Sequence, residues 1–565
     1  RTIYTTAGSR RAVVALDALT GEILWVSRID EGARASNAPR KLSGRGLAWW
    51  DDGSKMGRII YVTPGYQMIA LNAETGARLK DFGLEGIVDL KQEFDQSLDL
   101  ETGEVGLHAA PIISNGVVIV GSAFRPGRMP TSREKPKGHV RGYDAQTGNR
   151  LWIFHTIPQA NEYGNDTWLN NSWTYTGYGG VWAQMTADPV LGVVYLPTET
   201  ATGDSYGGHR HGDNLFTNSV VAIDVKSGER KWHFQTTHHD VWDWDIPAAP
   251  ILVDLNIDGQ KKAALAQPVK QGFTFVFDRE TGEPLFDIEE VPVPASDVPG
   301  ERLSPTQPIP LKPPPFARQG LSEDELIDFT PELREKAREI LEKYRYGEIY
   351  MPPSLAKADD GTLGTLFMPS QTGGANWPGG AADPETGIMY IFSKSDVGRM
   401  SMSSRPDRSD MNFINLQSRD APPLRVDGLP LIKPPYGQIV AIDLNLGETL
   451  WSAIHGETPD SISKHPALVG LDIPRTGQVG RVGLLVTKTL VIAGDGGAYT
   501  NKDGEQEALL RAYNKLTGEQ VGSLPMPAQQ TGTPMTYEID GIQYLAVAIS
   551  GGNLPGRLRV YKNQP

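Results

Sequence analysis

The densest group of side chains able to do chemistry lies between residues 238 and 247, where two histidines, three aspartates and two tryptophans fall close together. Imidazoles and carboxylates at this spacing suit a general base or a metal site. A solvated loop whose carboxylates cap local turns explains the same residues equally well. The pattern therefore marks a candidate site and leaves both alternatives open.

Glycines beside tryptophans form a second candidate. Gly180 and Trp182 lie in a stretch rich in both residue types, and Asn376-Trp377 follows another glycine-rich segment. Glycine lets a flat ligand approach the backbone, and an indole ring can stack on it. Packing between sheets is the alternative explanation for these tryptophans. Lys270 lies just before a predicted strand over residues 273–278, a position at which lysines are usually solvated.

The elements that must position these residues come from a repeat, Ala-x-Asp-x-x-Thr-Gly-x-x-x-Trp. The cleanest copies end at Trp25, Trp152, Trp232 and Trp451. Weaker copies are centred on Asn72, Asp278, Asp383 and Asn514. The motif predicts a β-hairpin in which Asp caps the turn and Gly supplies the positive φ.

A single hairpin cannot bury its tryptophan, so the repeats must stack around an axis and cover one another. The sequence therefore predicts an all-β fold, an eight-bladed β-propeller forming one domain over residues 1–565. The spacing between Asp278 and Asp443 is too long for one blade, so Asp383 is taken as an eroded copy. The chain opens at Arg1 in what reads as mid-strand, so we expect residues of the first blade, and a signal peptide, to precede it.

An insertion is predicted at about residues 291–360. Its first part, residues 291–315, is rich in proline, and a helix then begins at Thr330 as N-cap with Pro331 in the first turn. The helix is predicted to run to about Tyr346 and to stop at Gly347. A lid or edge decoration and a passive surface insertion are both compatible with this pattern.

Composition excludes several classes of function. The chain has no cysteine, which excludes disulfides, thiolate metal sites, a cysteine nucleophile and covalent attachment of a c-type haem. Electron chemistry would therefore need a non-covalently held cofactor. The formal net charge of −14 argues against nucleic-acid binding. No apolar run is long enough to predict a transmembrane helix or anchor.

Taken together, these motifs resemble the family of pyrroloquinoline quinone (PQQ) dependent alcohol and sugar dehydrogenases. The similarity covers nearly the whole chain and is carried by the hairpin repeats and by residues 43–50, 182–189, 239–243, 270–272, 376–377 and 534–537. It looks strongest toward the membrane-type glucose dehydrogenase branch, without that branch's membrane anchor. The resemblance implies an eight-bladed propeller with PQQ on its axis, oxidising an alcohol or sugar hydroxyl.

The resemblance also implies roles for individual residues. Asp243 would be the general base, and Lys270 would donate a hydrogen bond to the quinone oxygen and stabilise the charge developing there. Trp182 would form the floor under the planar cofactor, next to Gly180. Arg45 would pair with a cofactor carboxylate, for which a planar bidentate donor is suited.

The same resemblance implies that four further residues contact the cofactor. His108 stands where relatives place a hydroxyl contact, and Tyr436 stands where relatives place a tryptophan. Asn376 would lie near the quinone edge, followed by Trp377.

Two departures from the family pattern concern the cofactor's surroundings. The adjacent cysteine pair of many alcohol-oxidising members falls at Pro39-Arg40, and the acidic cation ligand expected after Ser122 is missing. Ca²⁺ is still expected, with oxygen ligands from Glu199, Thr200 and Asp243.

Three hypotheses for function follow. The first is a periplasmic quinoprotein dehydrogenase that passes electrons to an external cytochrome c or quinone. The second is a non-enzymatic propeller scaffold, which gives no role to Asp243, Lys270, Trp182 and Arg45 together. The third is a carbohydrate-binding or carbohydrate-cleaving propeller using Asp243 and Asp245, which leaves Lys270 unexplained. A sugar and a bulky secondary alcohol, such as a mycotoxin, are both compatible substrates.

Overall fold

The computed structural model describes residues 1–42, 46–51, 53, 57–125, 127–501 and 503–563. The chain divides into two compact units. The first contains Arg1–Asp240 together with Pro406–Met411, and the second contains Val241–Arg405 and the chain from Asn412 onward. Strands dominate both units, and none of the helices in the described ranges has the length and apolar character needed to cross a membrane.

The first unit contains four antiparallel sheets, numbered 1 to 4 in chain order. Sheet 1 consists of Thr2–Ala7, Ala12–Asp17 and Ile23–Ser27, and sheet 2 of Ala48–Trp50, Arg58–Val62, Gln67–Asn72 and Ile87–Asp89. Sheet 3 consists of Ile112–Ser114, Val117–Val120, Val140–Asp144 and Arg150–Phe154, and sheet 4 of Thr186–Asp188, Val193–Pro197, Ser219–Asp224 and Arg230–Gln235. Consecutive strands pair in each sheet, so each is a meander.

The second unit contains four more such sheets, numbered 5 to 8. Sheet 5 consists of Ile251–Ile257, Gln260–Pro268 and Thr274–Asp278, and sheet 6 of Gly380–Asp383, Ile388–Lys394, Gly437–Asp443 and Glu448–Ile454. Sheet 7 consists of Leu485–Val486, Leu490–Gly494, Tyr499–Thr500, Gln506–Asn514 and Gln520–Met526, and sheet 8 of Met535–Ile539, Ile542–Gly551 and Leu554–Lys562.

The repeated motif forms the predicted hairpin turn. In sheet 1 the Asp17 carboxylate accepts hydrogen bonds from the backbone N–H groups of Leu19 (2.9 Å) and Thr20 (2.8 Å), and Gly21 has φ of 76°. The aspartates at 144, 224 and 278 accept from the same two following positions. The sequence prediction of an Asp-capped turn with glycine at positive φ is confirmed.

Three of the motif tryptophans, Trp25, Trp152 and Trp451, lie on the turn of the next repeat. The Trp152 indole N–H donates to the carbonyl of Val225 (2.9 Å), and a Cβ added to Gly228 would come within 2.7 Å of the Trp152 ring. Trp25 lies against Gly76 and Trp451 against Gly518 in the same way. Glycine is therefore required at this turn for two reasons: the backbone has a positive φ, and a side chain would collide with the neighbouring indole.

The prediction that Asp383 marks a separate repeat is wrong. Asp383 ends the first strand of sheet 6, and Asp443 caps a turn later in that same sheet. The side chain of Asp383 does cap a turn that ends at Gly387, because Asp-x-x-Thr-Gly specifies a tight turn wherever two strands meet. The eighth sheet is sheet 8, which lacks the motif, and the long spacing comes from insertions in sheet 6 and before it.

The insertions form structure of their own in the second unit. The described residues of the insertions form three small sheets. Two of these are two-stranded, pairing Ile288–Pro292 with Thr306–Pro310 and Arg425–Val426 with Leu429–Pro430. In the third, the strand Gly398–Ser403 pairs with Ser354–Leu355, Thr365–Phe367 and Ile414–Asn415. A hydrophobic core fills their interior, including Leu326, Leu333, Leu341, Leu429 and Tyr436. The insertion is therefore packed and ordered by burial of apolar side chains.

The predicted helix of the insertion is present but shorter. It spans Pro331–Leu341, with the Thr330 hydroxyl accepting from the backbone N–H of Leu333 at 3.2 Å. It ends before Tyr346 because the N–H of Arg345 donates to the carbonyl of Gly364 instead of continuing the helix. The remaining helices are short: Ala33–Asn37 and Asp460–Ser463, with 3₁₀ turns at Asn165–Thr167, Leu169–Thr174, Glu323–Glu325 and Pro466–Leu468.

The docking of Trp152 predicts a large loss of stability when its ring is removed. Trp152→Ala should lower the free energy of unfolding by about 3 to 5 kcal/mol, because the side chain is buried and its cavity cannot be refilled by the rigid turn beneath it. Urea unfolding followed by tryptophan fluorescence measures the change. Trp49→Ala is the control, since that ring is 55% exposed and should change stability by less than about 0.5 kcal/mol. Equal losses in the two variants would refute the docking argument.

A buried histidine between sheets 6 and 7 predicts the response to acid. His455 accepts from the Tyr513 hydroxyl at Nδ1 (2.9 Å) and donates from Nε2 to the Gly494 carbonyl (3.1 Å), and burial lowers its pKa from 6.5 to about 4. Between these values the unfolded chain binds a proton that the folded chain does not, so stability falls as pH drops. We expect a loss of about 3 kcal/mol between pH 6.5 and 4 from this group. His455→Gln should flatten the dependence of the urea midpoint on pH; an unchanged slope would contradict the assignment.

Candidate active site

Lys270 is the centre of the candidate site in the second unit. It follows the strand Gln260–Pro268 and precedes Thr274–Asp278, at the end of sheet 5 opposite the Asp278 turn. Gly272, with φ of 94°, closes the loop between these strands. The loop buries Lys270, whose side chain is only 5% exposed. Sequence analysis predicted the residue and noted that such lysines are usually solvated; here the structure buries it.

Two aspartates surround the Lys270 ammonium group. Its Nζ donates to the backbone carbonyl of Asp243 (2.5 Å), to Oδ1 of the same residue (3.1 Å) and to Oδ2 of Asp245 (3.0 Å). Burial by itself disfavours the charged ammonium, but the two carboxylates outweigh it and raise the pKa of Lys270 above its ordinary value. Lys270 is therefore a fixed positive charge at neutral pH.

The two tryptophans of the segment hold these aspartates in place. Trp242 and Trp244 are fully buried, stack at 5.4 Å between ring centroids, and meet the edge of Tyr350. Asp243 has a left-handed backbone, with φ of 59°, and this segment is not a regular strand. Asp243 and Asp245 contact Lys270, while both indoles are buried in the core. The tryptophans therefore have a packing role, and Asp243 and Asp245 are the residues of this segment that pair with Lys270.

The earlier part of the same segment is structural and belongs to the first unit. His239 donates from Nδ1 to the carbonyl of Gly212 (2.8 Å), and Asp240 accepts from the Asn218 amide (3.1 Å). Arg210, fully buried, donates to the Asp240 carbonyl at 2.6 Å. The sequence cluster at residues 238–247 thus divides into a structural half and a half directed at Lys270.

A loop carrying Asn376 packs directly on Lys270. The N–H of Gly374 donates to the Lys270 carbonyl at 2.8 Å, and a Cβ added to Gly373 would lie 2.8 Å from the Lys270 Cα. The Asn376 amide donates to the carbonyl of Thr372 (2.8 Å) and accepts from the N–H of Trp377 (2.9 Å). The structure therefore brings Asp243, Lys270 and the Asn376 loop together, and Trp377 lies half-buried beside them.

Sequence analysis missed a second buried lysine next to this loop. The Lys394 backbone N–H donates to the Gly374 carbonyl (2.8 Å), and its ammonium donates to Oδ2 of Asp396 (2.7 Å) and to the Thr372 hydroxyl. Burial lowers the pKa of Lys394, and the single carboxylate of Asp396 does not compensate. A lysine ending the wholly buried strand Ile388–Lys394 was the available sequence signal.

Tyr436 lies in the core of the insertion. It is 3% exposed, and its hydroxyl donates to the carbonyl of Ile432 at 3.0 Å. Its backbone carbonyl accepts from the N–H of Ser395 (3.1 Å), which follows Lys394. The structure gives Tyr436 a packing role, and its contact with a cofactor stays a prediction.

In the first unit the structure pairs two predicted cofactor residues. The rings of His108 and Trp182 are 5.1 Å apart between centroids and inclined by 36°, and both residues are half-buried. Arg11, which is 1% exposed, fixes the approach of His108 by donating to the carbonyl of the preceding Leu107 at 2.9 Å. The same guanidinium binds the carbonyls of three other loop residues, Arg40, Val62 and Thr63.

Gly180, two residues before Trp182, lies in a confined position. Its N–H donates to Oε1 of Glu199 at 3.0 Å, and a Cβ added to it would lie 2.7 Å from the Ser122 hydroxyl oxygen. That hydroxyl is buried, and no described residue forms a hydrogen bond with it. Thr200 follows Glu199 and is 3% exposed. Arg45, the predicted partner of a cofactor carboxylate, lies outside the described residues.

No group of three histidine, aspartate or glutamate side chains is arranged to hold a metal ion within the part of the chain that the structure describes. The predicted oxygen ligands Glu199, Thr200 and Asp243 therefore remain a prediction.

The buried ion pairs predict a specific stability effect. Asp245→Asn should destabilise the protein by about 3 kcal/mol at pH 7, because it removes one of the two carboxylates that compensate the buried Lys270 charge. Asp254→Asn is the matched control, since Asp254 pairs with Arg279 while 76% exposed and should cost less than about 1 kcal/mol. Urea midpoints measure both, and similar values would show that the Lys270 charge does not depend on Asp245.

Comparison with known proteins identifies the family to which the chain belongs. Residues 1–545 match the family described as PQQ glucose/ethanol/alcohol dehydrogenase, beta-propeller domain. The glycerol dehydrogenase large subunit of Gluconobacter thailandicus is 30% identical, over 97% of this chain and 75% of that protein. The quinate/shikimate dehydrogenase (quinone) of Acinetobacter baylyi is 28% identical, over 95% of this chain and 68% of that protein.

Solved structures show the same fold. The quinohemoprotein alcohol dehydrogenase of Pseudomonas putida HK5 superposes with a TM-score of 0.67 at 23% identity, covering 98% of this chain and 69% of that chain. The family match favours the dehydrogenase hypothesis over the scaffold and carbohydrate-cleaving hypotheses. The chain therefore belongs to the PQQ-dependent quinoprotein dehydrogenases, oxidoreductases that act on CH–OH groups and share a β-propeller domain.

Proposed function

We propose that this protein oxidises a primary or secondary alcohol, or a sugar hydroxyl, to the carbonyl compound, with Asp243 as the general base. The observation that carries the proposal is the buried contact between Asp243 and Lys270, at 3.1 Å, beside the Asn376 loop. A carboxylate held against a permanent positive charge stays ionised and can accept a proton. Family membership supplies the class of reaction, and this contact supports Asp243 as the proposed base.

The eight meander sheets are proposed to be the eight blades of one propeller. Two observations support this: the described residues form four meander sheets in each unit, and Trp25, Trp152 and Trp451 dock on the turn of the next repeat. Sheets linked in this way cover one another's faces, as a propeller requires.

The residues of the first unit fit a flat cofactor with a polar edge. A half-buried indole, Trp182, has His108 against it, Gly180 brings no side chain, and the buried Ser122 hydroxyl has no hydrogen-bond partner among the described residues. A planar aromatic ring suits the indole, and carboxylate or carbonyl oxygens suit the free hydroxyl. We therefore propose Trp182, Gly180 and His108 as contacts for PQQ, which when bound accepts a hydride from the alcohol carbon.

The protein's own residues then perform two tasks. The substrate hydroxyl donates its proton to the Asp243 carboxylate as the alcohol carbon loses its hydride. Lys270, held charged by two aspartates, would place its positive charge beside the point where negative charge develops. Its three N–H groups are directed at Asp243 and Asp245, so a hydrogen bond to the quinone oxygen would have to replace one of these contacts. The Asn376 loop keeps Lys270 in place through the Gly374 hydrogen bond.

Ca²⁺ is proposed as a second cofactor, with Glu199, Thr200 and Asp243 as ligands. The support is chemical: carboxylate and hydroxyl oxygens are the ligands that Ca²⁺ prefers. Chelation followed by Ca²⁺ titration tests this, and turnover that is insensitive to both would exclude the role.

The electron acceptor is proposed to be an external cytochrome c or quinone. The support is the family resemblance alone. Periplasmic location is also proposed, on the family resemblance alone, and cell fractionation tests it.

Replacement of the base predicts a separation of cofactor binding from turnover. Asp243→Asn should still bind PQQ but lose about 100- to 10,000-fold in kcat, because the amide cannot accept the hydroxyl proton. Quenching of protein fluorescence measures PQQ binding, and dye-linked oxidation with PQQ and Ca²⁺ measures turnover over alcohols, aldoses and bulky secondary alcohols. Asp254→Asn should retain full rate. Full activity in Asp243→Asn would show that another residue is the base.

A further inference from the structure

Lys394 is a second buried ammonium group beside Lys270, and the proposed chemistry does not use it. Its side chain is 8% exposed and lies against the Thr372 hydroxyl, on the loop whose Gly374 binds both lysine backbones. The two positive charges influence each other: Lys270 is among the groups that lower the pKa of Lys394. Lys394 therefore places a second buried positive charge next to the candidate site.

Compensation of the two charges is unequal. Lys270 has two carboxylate partners, Asp243 and Asp245, and burial is outweighed. Lys394 has one, Asp396, and burial of the ammonium together with the positive charges of Arg481 and Lys270 outweighs that partner. A second anion next to Lys394 would therefore stabilise its charged ammonium form. Lys270 already has its second anion, because both Asp243 and Asp245 contact it.

The neighbouring loop carries two further donors: Arg481, whose positive charge lowers the pKa of Lys394, and the Gln478 amide, which lies against Gly497. Lys394 pairs with Gly437 in sheet 6, and the loop through Gln478 crosses Gly437 so closely that a Cβ there would lie 2.0 Å from the Gln478 carbonyl oxygen. Gln478 is 4% exposed, and neither atom of its side-chain amide has a hydrogen-bond partner among the described residues. Arg481 follows on the same loop. An ammonium, a guanidinium and an amide N–H are the groups that bind a carboxylate.

We propose that Lys394, with Gln478 and Arg481, binds a carboxylate on the substrate, so that the preferred substrates are hydroxy acids. The inference rests on the proposed function, because it places the carboxylate beside the loop that packs on Lys270. The chemistry that is recognised is a carboxylate, and PQQ also carries carboxylates. The experiment must therefore separate binding of a substrate carboxylate from binding of a cofactor carboxylate.

Matched substrates and matched variants make the separation. Quinate is compared with its methyl ester, and glycerate with glycerol, in dye-linked assays of the PQQ-loaded protein. Lys394→Met should lower the ratio of kcat/KM for the acid to that for the neutral analogue by at least tenfold, and Lys394→Arg should restore most of it. Lys488→Met is the control: that lysine is exposed in the turn between the first two strands of sheet 7, away from the loop, and should leave the ratio unchanged.

Fluorescence titration of apoprotein with PQQ supplies the second readout. A tenfold weaker Kd for PQQ in Lys394→Met, with an unchanged acid-to-ester ratio, would assign the lysine to the cofactor and overturn the proposal. Wild-type protein with no preference for the acid over its ester would overturn it as well. If PQQ binds but nothing turns over, the proposed function fails separately, and calorimetric binding of quinate and its ester then decides the inference: equal affinities refute it.

Discussion

The docking of one repeat's tryptophan on the next repeat's turn glycine is the constraint on which the remaining structure depends. Trp152 occupies the space above Gly228 that a Cβ would need, and it also donates a hydrogen bond to the adjacent Val225 carbonyl. This contact fixes consecutive sheets at the end where the motif turns lie. In an antiparallel meander the other strand ends are then free to carry long loops, and Lys270 and Lys394 both lie at such ends.

Charge compensation decides what those loops can do. Lys270 and Lys394 are similarly buried, yet the pKa of the first is raised and that of the second lowered, because the first has two carboxylate partners and the second has one. A fully compensated lysine keeps a fixed positive charge, which suits stabilisation of negative charge that develops during a reaction. An under-compensated lysine favours a bound anion. Two buried lysines thus suit different functions because they differ in the number of carboxylates that contact them.

The sequence predicted local features well and long-range ones poorly. The Asp-capped turns and the start of the helix at Thr330 follow from short-range chemistry, and the structure has them as predicted. The roles of Asp243 and Lys270 came from the family resemblance and stay predictions, although the structure brings the two side chains into contact. The turn at Asp383 was mistaken for a repeat because its residues specify a turn but not the sheet that contains it. Lys394 escaped notice because its environment is made by loops from three distant parts of the chain.

The insertion is connected to the loops around Lys394 through Tyr436. Tyr436 buries its ring in the insertion core, while its carbonyl accepts from the N–H of Ser395 and its N–H donates to the carbonyl of Thr476 (2.8 Å). One residue therefore joins the packed insertion to the strand end that carries Lys394 and to the loop that carries Gln478. Changes in the insertion core would move these two side chains together. Substrate preference would then depend on apolar packing of the insertion, while Lys270, held by sheet 5 and its two aspartates, would keep its place.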